Sequence, residues 1–339
     1  MKKVDLSIII LSYNTKKLLE NCLQSVIGDQ RSAIGDQGLG IGEKRLSDKP
    51  ITSHRSPTTE IIIVDNGSTD GSKEFLKDIK LKRYRNIGKN ENSKSLKLYI
   101  PITLKIILNE KNLGFARGNN QAIRYALGKF VFFLNSDTII KDGAVEKLAQ
   151  YLIKHQDIAA VLPLLLNEDG TIQKDPCYLK FPSPLFTFVY YNKFLRKIAD
   201  RFFPKIIYST TNFEIPTEVD QLSGAALMIR KDIFEKIGRF DESFEHFFED
   251  VDLSWRLKNK GYKLLLLPSA KIIHFGGKSL ESKVKKEGIE SFYYLNFKGL
   301  FRFCEKNYTF WRTLFIKIII FLNLLARLRF NLILKLYFS

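Results

Sequence analysis

Three apolar runs, each ending in a polar knot, constrain this chain more than any other feature. Leu6-Ser7-Ile8-Ile9-Ile10 runs into Leu11-Ser12-Tyr13-Asn14. Glu60-Ile61-Ile62-Ile63 runs into Val64-Asp65-Asn66-Gly67-Ser68-Thr69-Asp70, and Phe130-Val131-Phe132-Phe133-Leu134 into Asn135-Ser136-Asp137. Near-continuous apolar runs that alternate with helical stretches read as parallel strands buried on both faces. In such sheets ligands sit just past the carboxyl ends of the strands. Three knots at three strand ends therefore describe one pocket. Its acidic groups suit a divalent metal and a nucleotide, because hard oxygen ligands hold a magnesium-type ion against phosphates.

The 339 residues, 45% of them hydrophobic, suffice for a sizeable core in one large domain or two modest ones. Lys plus Arg (54) exceeds Asp plus Glu (36), a net charge of +18, which implies an anionic partner: nucleic acid, an acidic membrane leaflet or phosphorylated ligands. Cys22, Cys177 and Cys304 are far apart and form no CxxC pair, so neither a disulfide framework nor a zinc site is expected and a reducing compartment fits. Lys2 and Lys3 precede an apolar run, but that run is short, ends in Tyr13-Asn14 and belongs to the first strand; a signal peptide is not expected.

Along the chain, residues 4–12 read as a strand and Lys16–Ile27 as an amphipathic helix with Leu18, Leu19, Cys22, Leu23 and Val26 on one face. The Gly-rich, polar text of residues 28–59, with Ile27-Gly28-Asp29-Gln30 echoed by Ile34-Gly35-Asp36-Gln37, reads as a flexible insertion. A second insertion, rich in Lys and Asn, spans 82–95. Strands are expected at 60–64, 104–108, 129–134, 158–166, 219–229, 262–267 and 270–275. Helices are expected from Phe115 to Leu127, closed by Gly128, and at 143–154 and 251–260. Asp70 suits a helix cap. Residues 180–213, aromatic and basic with several prolines, show neither periodicity, and 284–337 read as helical almost throughout.

Ser7-Ile-Ile-Ile-Leu-Ser-Tyr-Asn14, Ile63-Val-Asp-Asn-Gly-Ser-Thr-Asp70, Asn112-Leu-Gly-Phe-Ala-Arg-Gly-Asn-Asn120, Phe133-Leu-Asn-Ser-Asp137, Ser223-Gly-Ala-Ala226, Phe248-Glu-Asp-Val-Asp252 and His274-Phe-Gly-Gly-Lys-Ser279 follow one another in that order. Together they resemble glycosyltransferase family 2, inverting nucleotide-sugar transferases of GT-A fold, and within it the rhamnosyltransferase-like members that build bacterial surface polysaccharides. Each motif alone is short; their fixed order makes the resemblance specific. It covers residues 4–280 outside the two insertions. The implied fold is α/β: a Rossmann-like, mostly parallel central sheet flanked by helices over 1–280, followed by a helical, membrane-associated segment over 281–339.

The resemblance also implies roles. Asp65 accepts the imide N–H of a uracil or thymine base, while the same Asp-Asn-Gly text is also an ordinary turn signal. Ser12, Tyr13, Asn14 and Asn66 line base and ribose. Gly114 and Asn119, with Gly118 and Asn120, bring backbone and a helix N-terminus to the diphosphate; the bland alternative is an ordinary capped helix. Asn135 and Ser136 lie beside the donor, and Gly224 and Ala225 leave room for sugar or acceptor. Asp137 binds Mg2+ or Mn2+ on the diphosphate. The usual Asp-x-Asp element is here Asn135-Ser136-Asp137, so its first acid is absent, and His274 is the second protein ligand. Asp250 is the general base, with Glu249 beside it. Acids at a helix start are also favoured by the helix dipole, which keeps Asp250 ionised.

The expected reaction is transfer of a sugar, dTDP-rhamnose being one donor, to a glycan or lipid-linked acceptor. The tail from Trp311 carries only nine uncharged residues between Lys317 and Arg327, against ~20 for a span. It reads as an in-plane helix on an anionic membrane, the protein sitting in the cytoplasm on the inner face. Packing on the protein itself or in a homodimer is the alternative. A catalytically impaired membrane scaffold is a second reading, given Asn135. Nucleic acid is not an expected partner, because the cations are dispersed and no binding motif occurs. A dinucleotide site fails because Gly38-Leu39-Gly40-Ile41-Gly42 lacks the spacing, and a P-loop because Ile272 stands where glycine is needed. A glycosidase needs two acids flanking one bond, yet Glu249 and Asp250 point about 100° apart on a helix.

Overall fold

A computed structural model describes residues 4–35, 58–86, 103–210, 212–276 and 288–338, without the side chains of 30–35 and 80–86. The apolar runs form strands β1 (Leu6–Ser12), β2 (Thr59–Asp65), β3 (Thr103–Leu108) and β4 (Phe130–Asn135), ordered β3-β2-β1-β4 with every pairing parallel. Ile8, Ile9, Ile10, Ile62, Ile63, Val131, Phe132 and Phe133 are wholly buried, as strands covered on both faces by helices must be. Burial of each contributes ~1.5–3 kcal/mol, which fixes where the strand ends lie. The crossovers are α1 (Lys16–Gly35), α2 (Ser72–Asn86) and α3 (Phe115–Ile123).

The other half of the sheet is mixed. It is built from β5 (Thr138–Lys141), β6 (Ile158–Leu166), β7 (Thr217–Glu218), β8 (Ala226–Arg230) and β9 (Lys263–His274). The nine-stranded sheet runs β3-β2-β1-β4-β8-β6-β9-β5, with β7 beside β9. β8 is antiparallel to both β4 and β6, whereas β6 and β9 are parallel. The amino end of β8 therefore lies beside the carboxyl end of β4. Helices α4 (Ala144–Lys154), α5 (Pro184–Tyr191), α6 (Lys193–Phe202), α7 (Lys231–Lys236) and α8 (Glu249–Asn259) complete this part, and α9 (Ile289–Asn307), α10 (Phe310–Ala326) and α11 (Phe330–Tyr337) follow.

Several boundaries differ from expectation for identifiable reasons. α1 continues through Gly28 to Gly35, since nothing crowds Gly28 and one helical glycine costs only ~1 kcal/mol; the rest of that insertion, 36–57, lies outside the described residues. α2 likewise continues to Asn86, and 87–102 lie outside. α3 stops at Ile123 rather than Leu127. Gly128 is needed for a different purpose, because a Cβ there would meet the Ser7 nitrogen at 2.5 Å. That turn is stitched to β1 and β2: Gly128 N–H donates to Ser7 Oγ at 2.8 Å, and Ser7 Oγ and Leu127 N–H donate to the buried Glu60. Residues 219–225 are not a strand, and 262–275 hold one strand, whose pairing to β6 shifts register between Pro163 and Leu164. Residues 180–213 hold α5 and α6.

α9, α10 and α11 are not an appendage. Phe297, Leu300, Phe303, Ile316, Ile320, Leu324 and Leu332 form one buried cluster with Phe244 and Val251, which flank the start of α8. Wholly buried Asp252 ties the two regions together, bonded to Arg256 at 2.7 Å, Lys306 at 2.9 Å and Asn307 at 3.1 Å.

Candidate active site

The polar knots fall in one row because strand register puts them there. Ser12 pairs with Asp65 and Leu11 with Asn135, while Leu134 pairs with Ala226 across the antiparallel β4–β8 seam. Hydrogen bonds then join neighbours along the row. Asn14, in the left-handed region at φ 52°, donates its N–H to Ser68 Oγ at 2.9 Å, and its side-chain oxygen accepts from Thr69 N–H at 2.8 Å. The hydroxyls of Ser12, Thr15 and Ser136 form a chain at 3.0 and 2.7 Å. Asn135 N–H donates to Ala225 O at 2.9 Å, and Gly224 N–H to Asp250 Oδ2 at 2.8 Å. Asp70 receives Lys16 N–H at 2.8 Å and the Ser72 hydroxyl at 2.6 Å. Partial burial opposes its ionisation, but these hydrogen bonds outweigh it and hold the carboxyl below its ordinary range.

Asp65 is wholly buried. Its Oδ1 accepts from Ser68 N–H at 3.0 Å, and its Oδ2 is a buried oxygen with no partner among the described residues. An orphaned buried carboxylate oxygen costs free energy unless a ligand donor fills it. Asn66 is occupied otherwise. Its amide donates to Asn112 and Gly114 and accepts from Leu113 N–H and Asn109, holding the 109–114 loop against the end of β2. Gly114 starts α3 at φ 84°, a conformation open to glycine. Asn119 is buried, and its amide donates to Phe115 O within the helix at 3.1 Å. Tyr13, in the loop after β1, is half-buried.

Asp137 and His274 come together although 137 residues separate them in sequence, because Thr138 of β5 pairs with His274 of β9. Asp137 Oδ1 lies 3.5 Å from His274 Nε2, both side chains nearly buried. His274 Nδ1 lies 2.7 Å from Gln173 Oε1, and Gln173 Nε2 faces Asn167 Oδ1 and His274 O. An amide oxygen only accepts, so Nδ1 carries the proton. His274 Nε2 is then the ring nitrogen that faces the Asp137 carboxylate. Gln173 fixes the tautomer and orientation of the imidazole, as an outer partner does for a ligating histidine. Its contact was invisible in the sequence, 101 residues from His274; Thr15 and Ser68 were missed in the same way. Among the described residues no group of three or more His, Cys, Asp and Glu converges on one point. Two protein donors still fit a metal whose remaining sites are filled by phosphate oxygens and water.

Glu249 and Asp250 open α8 behind Phe247 and Phe248, both left-handed at φ 65° and 69°, a strain of ~1–3 kcal/mol each. Packing enforces it: the Phe247 and Phe248 rings meet Phe292 and Phe303 of α9, and a Cβ at Gly299 would lie 3.0 Å from the Phe248 ring. On its other side this loop brings Glu245 O within 3.1 Å of where a Gly114 Cβ would stand. The helix dipole favours an ionised Asp250, but desolvation prevails and raises it, against the N–H bonds from Gly224 and Val251. Burial, then the charge of Asp250, pushes Glu249 up to about 8, and Glu249 Oε2 is buried without a partner among the described residues. Asp252 is committed to Arg256 and Lys306, so Asp250 is the acid of this helix turned toward Gly224.

Residues 7–238 match the model of the family described as Glycosyl transferase family 2. The chain belongs to glycosyl transferase family 2. Within the family it is 25% identical over 231 residues to an N-acetylglucosaminyl-diphospho-decaprenol L-rhamnosyltransferase of Mycobacterium tuberculosis H37Rv, covering 63% of this chain and 66% of the relative. It thus spans slightly under two thirds of that relative. It is 28% identical to the rhamnosyltransferase WbbL of Escherichia coli K12 over 63% of this chain and 82% of that protein. The fold resembles that of a Pyrobaculum calidifontis mannosyltransferase, PcManGT, solved with GDP-Man and Mn2+, at TM-score 0.52 and 13% identity, over 90% of this chain and 64% of that one. The GT-A architecture of this family 2 glycosyltransferase agrees with the sheet and helices described above.

Proposed function

We propose that this family 2 enzyme transfers a sugar from a nucleoside-diphosphate donor to a hydroxyl of a glycan or lipid-linked acceptor, inverting the anomeric centre. The alignment along one sheet edge of the orphaned Asp65 oxygen, the Asp137–His274 pair and the Asp250 carboxyl carries this reading. Asp65 Oδ2 accepts the imide N–H of the base. The hydroxyl chain from Ser12 to Ser136 and the loop at Gly114 line the path from ribose to diphosphate. Asp137 and His274 hold a divalent ion, Mg2+ or Mn2+, which when bound offsets charge on the leaving diphosphate. Asp250 takes the proton of the acceptor hydroxyl as that oxygen attacks C1, and Gly224 N–H keeps one carboxylate oxygen oriented. Neutral Glu249 spares Asp250 a second adjacent charge. Rhamnose is the proposed sugar, dTDP-rhamnose the proposed donor, and cell-surface polysaccharide synthesis the proposed setting, supported by the rhamnosyltransferases among the relatives.

No helix among the described residues is long and apolar enough to cross a membrane. The proposed attachment is peripheral, through residues 311–339, on an anionic surface at the inner face of the cell membrane. The decisive test is Asp250→Asn. The variant is expected to fold and to bind nucleotide in a thermal-shift assay while transfer falls by at least ~100-fold, the usual contribution of a general base. Retained turnover overturns the assignment.

A further inference from the structure

Two segments far apart in sequence expose large apolar side chains on adjoining helices. On α10, Thr313, Ile316, Ile320 and Leu324 are buried, whereas Trp311 (67% exposed), Phe315, Ile318, Leu322 and Leu325 recur every three or four residues on the opposite side. A helix apolar all round should be covered all round. α5 packs against α10, and Asn323 and Arg327 both bond to Tyr191 O at its end. From there α6 continues with Phe194 (71% exposed), Ile198 and Phe202 (63%), followed by Phe203, while Leu185 and Phe188 are exposed on α5. At about 100° per residue, Phe194, Ile198 and Phe202 occupy one arc of α6. Buried Ala199 lies on one flank of that arc, and Lys193, Lys197 and Arg201 on the other.

We infer that α5 and α6 form a second lipid-contacting surface beside α10, so that the enzyme seats on an anionic phospholipid bilayer at two places. This rests on the peripheral attachment proposed above for residues 311–339 and extends it to 184–203. Charge selects the occupant. After Glu305 the chain contains no acidic residue, but it does contain Arg312, Arg327, Arg329 and Lys335, besides Lys306 and Lys317, which pair with Asp252 and Glu305. The exposed arc of α6 has lysines and arginine along one margin, with Lys205 just beyond. Exposed aromatics bordered by cations suit the boundary of headgroups and acyl chains of acidic lipids, whereas a second copy of this chain would bring like charges together.

The test is sedimentation of the full chain with vesicles of phosphatidylcholine alone or with about a third phosphatidylglycerol. Phe194→Ser/Phe202→Ser is compared with Trp311→Ser/Phe315→Ser; all four side chains are exposed, so thermal stability should hold in both. Each double variant is expected to lose about tenfold or more in partitioning to the acidic vesicles, and Lys197→Glu/Arg201→Glu should remove the preference for them. If the α10 pair releases the protein while the α6 pair binds like wild type, the inference on α5–α6 is overturned and the tail attachment stands. If neither pair matters, both are overturned. If wild type ignores vesicles and sedimentation velocity shows a dimer that the α6 pair dissociates, a second copy covers the face and the inference is overturned.

Discussion

Glu249 and Asp250 are neighbours with opposite assignments, and their surroundings make them so. Desolvation raises both, but Asp250 receives two backbone N–H bonds that oppose the rise, whereas buried Glu249 has an oxygen with no donor among the described residues. The folded state therefore keeps a proton on Glu249 that the unfolded chain gives up. Between about 4.5 and about 8 the native state binds more protons than the unfolded one, so stability falls as pH rises through that window. Glu249→Gln cannot ionise and is expected to flatten this decline. Melting temperatures of wild type and variant, compared from pH 5 to 9, check it, and parallel curves would sink the assignment. At the same scale the sequence was informative about residue types and silent about partners. Asp250 and His274 were singled out by the resemblance, whereas Asp65 and Asp137 stood out as acids at strand ends. Gln173 did not, because nothing in a turn after β6 announces that it meets an imidazole at the end of β9.

Among elements, tightness is set by backbone rather than by side chains at a few glycines. A methyl group at Gly128 would collide with the Ser7 nitrogen and the Leu6 carbonyl carbon, at 2.5 and 2.7 Å, and neither can move without shifting β1. At Gly118 the obstacle is the Leu11 Cδ1 at 2.6 Å, which a rotamer change relieves, and alanine gains up to ~1 kcal/mol of helix propensity. Gly128→Ala is expected to cost ~1–3 kcal/mol or more and Gly118→Ala much less, as read by urea denaturation. Equal costs would contradict the contact geometry. Strands β1, β2, β4 and β6 were readable because unbroken apolar runs need two-sided burial. α5 and α6 were not, since amphipathic helices with aromatics facing outward carry no clean polar face. The extension of α1 past Gly28 was not legible because the text from residue 28 on is Gly-rich and polar without periodicity, while buried Cys22 and Val26 already anchor the helix.

At the scale of the whole molecule, the last three helices share a core with the start of α8, so truncation at residue 311 would strip Ile316, Ile320 and Leu324 from Phe297 and Phe303. Such a fragment would lose membrane binding through a broken core as readily as through a missing surface, whereas point changes on exposed faces leave that core intact. Asp252→Asn probes the joint itself. Removing this buried charge leaves Arg256 and Lys306 short of their partner and is expected to cost ~3–5 kcal/mol, measured by chemical denaturation; a neutral outcome would show that α8 and α9 are held together by apolar contacts alone. The loop from Ser243 to Phe248 is pinched between the glycine that opens α3 and the glycine inside α9. A wedge gripped on both cheeks has no independent travel. On the function proposed above, exchanging the last three helices for those of another member of the family would therefore disturb the aim of Asp250 along with the proposed membrane seat.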